Sequence, residues 1–233
     1  MNWDKNCLEQ VKWCGDIAHY DQKLSLAKQM ALKVKDGDVI GFGSGSTSFL
    51  IVNEIARHVR ENALGICAIP TSPEIALTCQ SLSIPVESLN HVRPDWSFDG
   101  ADEVDGNRNL IKGRGGAMFI EKLLMRCSAK TYIVVDQSKQ VDTLGEKFPI
   151  PVEIAPESLV YVRQQLHRVG AHEAVLRLAK AKDGPVVTAS GNYILDARFA
   201  SVYQTLEKDI KAITGVVESG LFIGYDVEIV TVG

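Results

Sequence analysis

From Leu24 onward, the apolar residues Leu24, Ala27, Ala31 and Val34 fall on one helical face, and Asp36-Gly37 ends the pattern. Val39-Ile40-Gly41-Phe42 reads as a short buried strand, and Leu50, Ile51, Ile55 and Val59 as the inward face of a second helix. Ile66-Cys67-Ala68-Ile69 is the next expected strand. Thr71-Ser72-Pro73-Glu74 reads as a helix start in which Thr71 and Ser72 compete for the cap. Trp96-Ser97-Phe98 and Leu110-Ile111 are expected to be short strands, followed by a helix from about Ala117 to Ser128. Tyr132 to Val135 is a further buried strand. Strands alternating with helices imply a parallel sheet covered on both faces.

After Gly145 the pattern changes. Ile150 to Ile154 reads as a strand, Pro156 to Val169 as a helix, and Ala174 to Leu178 and Tyr193 to Asp196 as strands. Val202 to Ile213 reads as a helix and Val216 to Glu218 as a strand. This order, β-α-β-β-α-β, is the ferredoxin-like unit. Tyr225 to Thr231 alternates apolar and polar residues and is expected to return to the first sheet. The expected organisation is an α/β chain with a Rossmann-like domain over 1–145, completed by 217–233. A smaller ferredoxin-like domain spans 146–216. Trp3, Trp13 and Ile17 are expected to pack as an N-terminal helix.

Composition narrows the function. The 233 residues are 45% hydrophobic and 23% charged, an ordinary globular balance. A net charge of -4 argues against a nucleic-acid partner, which calls for a basic excess. The five cysteines, Cys7, Cys14, Cys67, Cys79 and Cys127, include no Cys-x-x-Cys pair, so reduced thiols are expected rather than a disulfide framework or zinc site. The five histidines are scattered without ligand spacing, and no metal or cofactor is expected. The N-terminus lacks the apolar core of a signal peptide and no stretch reaches the roughly 20 apolar residues of a membrane span. The expectation is a cytoplasmic protein.

Candidate chemistry follows the strands of the first domain. In an open parallel sheet the loops after the strands share the carboxyl edge, where ligands bind. These loops carry Gly43-Ser44-Gly45-Ser46-Thr47, Thr71-Ser72, Asp99-Gly100-Ala101-Asp102-Glu103, Lys112-Gly113-Arg114-Gly115-Gly116 and Asp136-Gln137-Ser138-Lys139. The glycine and serine loop suits an oxyanion, because close backbone N–H groups form a nest before a helix N-terminus. A plain strand-to-helix turn is an equal alternative. It is neither a Walker A loop, since no Lys follows the glycines, nor a dinucleotide fingerprint, since Ser46 stands at the third glycine position. The four acids among Asp99, Asp102, Glu103 and Asp105 suit a solvated turn, a magnesium site or a set of hydroxyl acceptors. Three glycines between Lys112 and Gly116 require a backbone reason, and the two cations beside a helix N-terminus suit an anion. Glu121 lies one turn into that helix; by itself it reads as readily as an exposed helical glutamate.

Taken together, these motifs resemble those of type A ribose-5-phosphate isomerases. The resemblance extends through Glu121-Lys122, Asp136 to Val141 and Gly215 to Phe222, and covers most of the chain from about Asp21. It implies a Rossmann-like domain plus a ferredoxin-like domain, and metal-free interconversion of ribose 5-phosphate and ribulose 5-phosphate in the pentose phosphate pathway. It also implies assembly as a homodimer or homotetramer. It implies Glu121 as general base, Lys112 as the cation opposite negative oxygen, and Asp99 and Asp102 as holders of hydroxyls that assist ring opening. Ser44, Gly45, Ser46, Thr47, Gly100, Ala101, Gly113, Arg114, Gly115 and Lys139 would contact the phosphorylated pentose. A base for this chemistry should titrate nearer neutrality than a free glutamate, so Glu121 is expected to be partly buried. Arg114 and Ile120 depart from the family's usual glycine and arginine, as do Thr188 to Asn192 and the extension before Tyr20. Arg114 is expected in an ordinary backbone conformation at the cleft rim. Two rival readings are a non-catalytic sugar-phosphate sensor and a nicotinamide-dependent dehydrogenase. The first would carry a DNA-binding module, whereas about twenty residues precede the first core helix; the second would need a third glycine and an acidic residue closing the second strand, where Ile69-Pro70-Thr71 offers none.

Overall fold

The computed structural model describes Trp13, residues 16–181 and residues 183–231. Trp3, Cys7 and Cys14 lie outside these residues, so the expected N-terminal helix does too, apart from Trp13 and Ile17. The Trp13 ring lies 5.8 Å from that of Phe49, and Ile17 packs on the first core.

In chain order the elements begin with α1 (Tyr20–Ala31), β1 (Val39–Phe42), α2 (Gly45–Asn62), β2 (Cys67–Pro70) and α3 (Pro73–Ser81). Next come β3 (Trp96–Asp99), β4 (Glu103–Val104), β5 (Leu110–Ile111), α4 (Met118–Cys127) and β6 (Thr131–Val134). Then follow β7 (Ile150–Ile154), α5 (Leu159–Arg168), β8 (Ala171–Leu176) and β9 (Tyr193–Phe199). The last are α6 (Leu206–Lys211), β10 (Val216–Ser219), β11 (Leu221–Phe222) and β12 (Glu228–Val230).

The chain forms two compact units. The first comprises residues up to Gly100, residues 123–138 and residues from Asp226. It holds a five-stranded parallel sheet in the order β12-β6-β3-β1-β2. The central strands are mostly apolar and buried because both faces are covered, and Ile40, Phe42, Phe98 and Ile133 are fully buried. The C-terminal segment returns to this sheet, as its alternation predicts: Glu228 to Val230 pair with Tyr132 to Val134. The buried stripe of α1 runs through Lys23, Leu26, Ala27, Met30 and Ala31, so it is rotated from the face anticipated around Leu24. Ser72 wins the cap of α3, its hydroxyl accepting from the Ile75 N–H at 3.3 Å.

The second unit comprises residues 101–122 and 139–225. Its antiparallel sheet has the order β10-β7-β9-β8, the ferredoxin-like arrangement, with α5 and α6 supplying Val162, Leu166, Leu206 and Ile210 to its core. A second small sheet, β11-β5-β4, lies in the same unit. It joins the segment around Lys112 to the one after β10. The compact units divide after Gly100, within α4, after Ser138 and after Tyr225. Helix α6 is shorter than the expected 202–213 span; within it only Leu206 and Ile210 are buried.

Candidate active site

In the first unit, the carboxyl ends of β1, β2, β3 and β6 share one edge of the parallel sheet. Gly43 follows β1 with its N–H donating to the Phe98 carbonyl at 2.8 Å. A Cβ at Gly43 would collide with the Asp99 carboxylate, which explains a glycine there. Gly45 has φ +89°, a left-handed conformation that favours glycine. The loop thus turns tightly onto Asp99, whose Oδ1 accepts from the Ser44 N–H at 3.2 Å and the Gly100 N–H at 2.8 Å. The Ser44 side chain makes no cap hydrogen bond at the start of the 18-residue helix α2. The positive end of that helix favours an anion.

Beside this loop lies a cation that no motif announced. Lys23, on α1, is 6% exposed; its ammonium lies 3.3 Å from Ser46 Oγ and 3.9 Å from Asp136 Oδ2. The signal was present in the sequence, since Lys23 falls in phase with Leu26, Ala27 and Met30. A lysine within a buried stripe requires an anionic partner. Burial raises the Asp136 pKa, but hydrogen bonds from the Ser138 hydroxyl and N–H and the Lys23 ammonium outweigh it, holding the group below the usual carboxylate range. Thr71 Oγ1, buried at the end of β2, has no hydrogen-bond partner among the described residues. This edge thus carries a buried cation, a helix N-terminus and a buried hydroxyl.

The second unit holds the anticipated base, Glu121, and Lys112. Lys112 follows β5, and its N–H donates to the Gly220 carbonyl at 2.8 Å. Glu121 sits on the first turns of α4. Lys112 Nζ lies 3.3 Å from Glu121 Oε2, with the residues 3% and 6% exposed. The anticipated burial of Glu121 is therefore observed. Two charges so removed from water persist because they face each other. The turn between them needs its glycines. Gly113 and Gly116 have φ of +96° and +80°, and a Cβ on Gly113 would approach Met118 Cε to 2.8 Å.

Asp102 is joined to this group through the backbone: its Oδ2 accepts from the Arg114 N–H at 3.3 Å. Burial pushes the Asp102 pKa up, and Glu121 adds to the rise, against the pull of Lys112 and Arg114. Arg114 is exposed and is not among the described non-glycine residues with positive φ, so its conformation is ordinary. Its guanidinium carbon lies 4.5 Å from the Phe148 ring centroid, and Lys139 Nζ lies 5.6 Å from the same centroid. Arg177 is a further participant that sequence reasoning missed. Its Nη1 donates to the carbonyls of Gly113 and Arg114 at 3.1 and 2.8 Å, while Nε donates to Asp196 Oδ2 at 2.8 Å. It lies in no motif, so only the fold reveals it.

The acidic run resolves into separate jobs. Glu103 is fully buried and accepts from the N–H groups of Gly145, Lys147 and Phe148. Asp105 accepts from the N–H groups of Asn107 and Asn109 and closes a turn. Asp99 accepts from loop N–H groups within the first unit, and Asp102 from the Arg114 N–H within the second. Among the described residues no group of three or more His, Cys, Asp or Glu could hold a metal ion. Among the same residues no helix is long and apolar enough to cross a membrane.

Residues 67–233 match the family model of ribose 5-phosphate isomerase A, also described as phosphoriboisomerase A. The chain is 43% identical over 213 residues to "Ribose-5-phosphate isomerase A" of Methanocaldococcus jannaschii, covering 90% of this chain and 93% of the relative. The chain belongs to the ribose 5-phosphate isomerase A family. A Synechococcus family member is 44% identical over 206 residues, covering 87% of this chain and 88% of its own. The solved structure of the M. jannaschii isomerase superimposes with a TM-score of 0.88 at 41% identity, over 92% of this chain and 95% of that one. Another solved ribose 5-phosphate isomerase, in complex with phospho-erythronic acid, gives a TM-score of 0.84 at 36% identity, over 90% and 94% of the two chains.

Proposed function

We propose that this family member interconverts D-ribose 5-phosphate and D-ribulose 5-phosphate through an enediolate, with Glu121 as general base. The buried Lys112–Glu121 pair at 3.3 Å carries this reading. On the open-chain aldose, Glu121 removes the C2 proton and the electrons move onto the carbonyl oxygen at C1. The resulting enediolate is opposed by the Lys112 ammonium, which stabilises charge that develops only as the reaction proceeds. Return of the proton from Glu121 to C1, with transfer of the O2 proton to O1, gives the ketose and restores the carboxylate. Asp99 and Asp102 hold hydroxyls and assist ring opening. The raised pKa of Asp102 suits a carboxyl that passes through its protonated form.

The remaining roles concern grip. Ser44, Gly45, Ser46 and Thr47, with Gly100, Ala101, Gly113, Arg114, Gly115 and Lys139, contact the substrate, including its phosphate. The α2 N-terminus and the Lys23 ammonium favour an anion at the glycine and serine loop. Binding a remote phosphate fixes the reacting carbons. The reading places the chain in the pentose phosphate pathway, in the cytoplasm, as a homodimer or homotetramer. Incubation with ribose 5-phosphate and a ketose assay tests the activity. Because the electrophile is an ammonium, turnover should survive exhaustive EDTA treatment. Loss of turnover that a divalent ion restores would replace Lys112 with a metal in this mechanism.

A further inference from the structure

Next to Glu121 in sequence is a second buried cation with a different set of partners. Lys122 is 5% exposed, and its ammonium donates to Glu207 Oε1 at 2.8 Å, Glu218 Oε1 at 2.9 Å and the Leu221 carbonyl at 2.9 Å. It also lies 4.6 Å from the Phe222 ring centroid. Its three N–H donors are thereby all engaged in a site closed to water. The carboxylates are themselves anchored. Glu207 accepts from the Ile223 N–H at 2.7 Å and the Tyr225 hydroxyl at 2.9 Å, and Glu218 from the Ser219 N–H at 2.9 Å. Burial raises the Glu218 pKa, but the Lys122 ammonium outweighs it and the group stays below its ordinary range.

The segment that receives Lys122 also holds Lys112. Leu221 and Phe222 pair with Ile111 and Leu110, and the Gly220 carbonyl accepts the Lys112 N–H. A Cβ at Gly220 would collide with the Lys112 carbonyl, so strand and loop lie in direct contact there. The Phe222 centroid is 5.9 Å from Lys112 Nζ as well. Segment 218–222 is therefore a common frame. It fixes Lys112 through its backbone and the start of α4 through the Lys122 side chain.

We propose that Lys122 is a positioning residue for the reaction: by tying α4 to the frame that carries Lys112, it sets the distance between base and electrophile. Glu121 and Lys122 are consecutive on a rigid helix, so releasing the Lys122 ammonium frees the carboxylate to drift from Lys112. A displacement of about 1 Å from productive geometry can cost about a hundredfold in rate. The substrate grip does not run through Lys122, so binding should change little.

The inference rests on Glu121 being the base, and the experiment separates the two claims. Lys122→Met keeps the unbranched stem and removes the charge; Glu207→Gln keeps the shape and weakens the tie. Both are measured with C2-deuterated and ordinary ribose 5-phosphate, beside Glu121→Gln. Lys122→Met should lower kcat by about tenfold to a hundredfold with KM within about threefold, and should raise the isotope effect on kcat as proton abstraction becomes slower. Glu207→Gln should move the same quantities the same way by a smaller amount. If Lys122→Met fails to fold, Glu207→Gln decides by the same criteria. A kcat near wild type in both variants overturns the positioning role. So does a loss of kcat with an unchanged isotope effect, which marks fewer folded molecules rather than a misplaced base. Retained turnover in Glu121→Gln would instead overturn the assignment of the base.

Discussion

Glu103, Glu121 and Asp102 are carboxyl groups within twenty positions of one another, and their surroundings give them different work. Glu103 spends its oxygens on three backbone N–H groups and is structural. Glu121 faces the Lys112 ammonium at 3.3 Å, the pairing on which its proposed role as base rests. Asp102 is held protonated more readily than a free aspartate by burial. The sign of its effect on stability follows. A pKa raised in the folded state means that the native protein binds the proton more tightly. Its contribution is favourable below the unfolded value near 3.8 and is lost as pH rises through the higher folded value. Near pH 7 the ionised group therefore weakens the fold. Asp102→Asn is expected to raise the melting temperature at pH 7 while lowering kcat, and the gain should shrink as pH falls through the carboxylate range. Thermal unfolding of both proteins across pH checks this; an equal difference at every pH would show that ionisation of Asp102 is not the cause.

At the scale of elements, long apolar runs were legible and very short ones were not. β1 and β6 read directly because covered strands are nearly continuous apolar runs. The β4, β5 and β11 sheet did not emerge, since a strand of two residues has no periodicity to read. The stripe of α1 is displaced from the anticipated face because it includes a buried lysine, Lys23. The first turn of the expected 156–169 helix is a separate 3-10 turn at Pro156–Ser158, with α5 starting at Leu159. The glycine and serine loop was legible as a loop, but its reason lay in a distant strand. Gly43 is required because Asp99, at the end of β3, occupies the place of a side chain, its Cα 2.6 Å from an added Cβ. Gly43→Ala should therefore push loop and strand apart, destabilising the protein by about 1–3 kcal/mol and lowering kcat. Thermal unfolding and steady-state kinetics measure both; an alanine variant unchanged in each would mean that the contact relaxes freely.

At the scale of the whole molecule, the α/β class and the ferredoxin-like strand order were readable from the order of elements alone. The residues of the candidate site were readable as motifs, but their meaning was not. Each of Lys112, Glu121 and Asp102 could pass for a surface residue until the fold buried Lys112 and Glu121 as a pair and brought Asp102 to the Arg114 backbone. Arg177 escaped for the opposite reason: it lies in no motif and meets the 112–116 turn through the carbonyls of Gly113 and Arg114. The account depends most on Glu121. Loss of a general base typically costs roughly 10²–10⁴-fold in rate. The most direct test is the steady-state conversion of ribose 5-phosphate to ketose by the wild-type protein and Glu121→Gln. The account predicts conversion by the wild type, and a variant slower in kcat by roughly 10²–10⁴-fold with KM within a few fold. A Glu121→Gln enzyme with near wild-type kcat would contradict it.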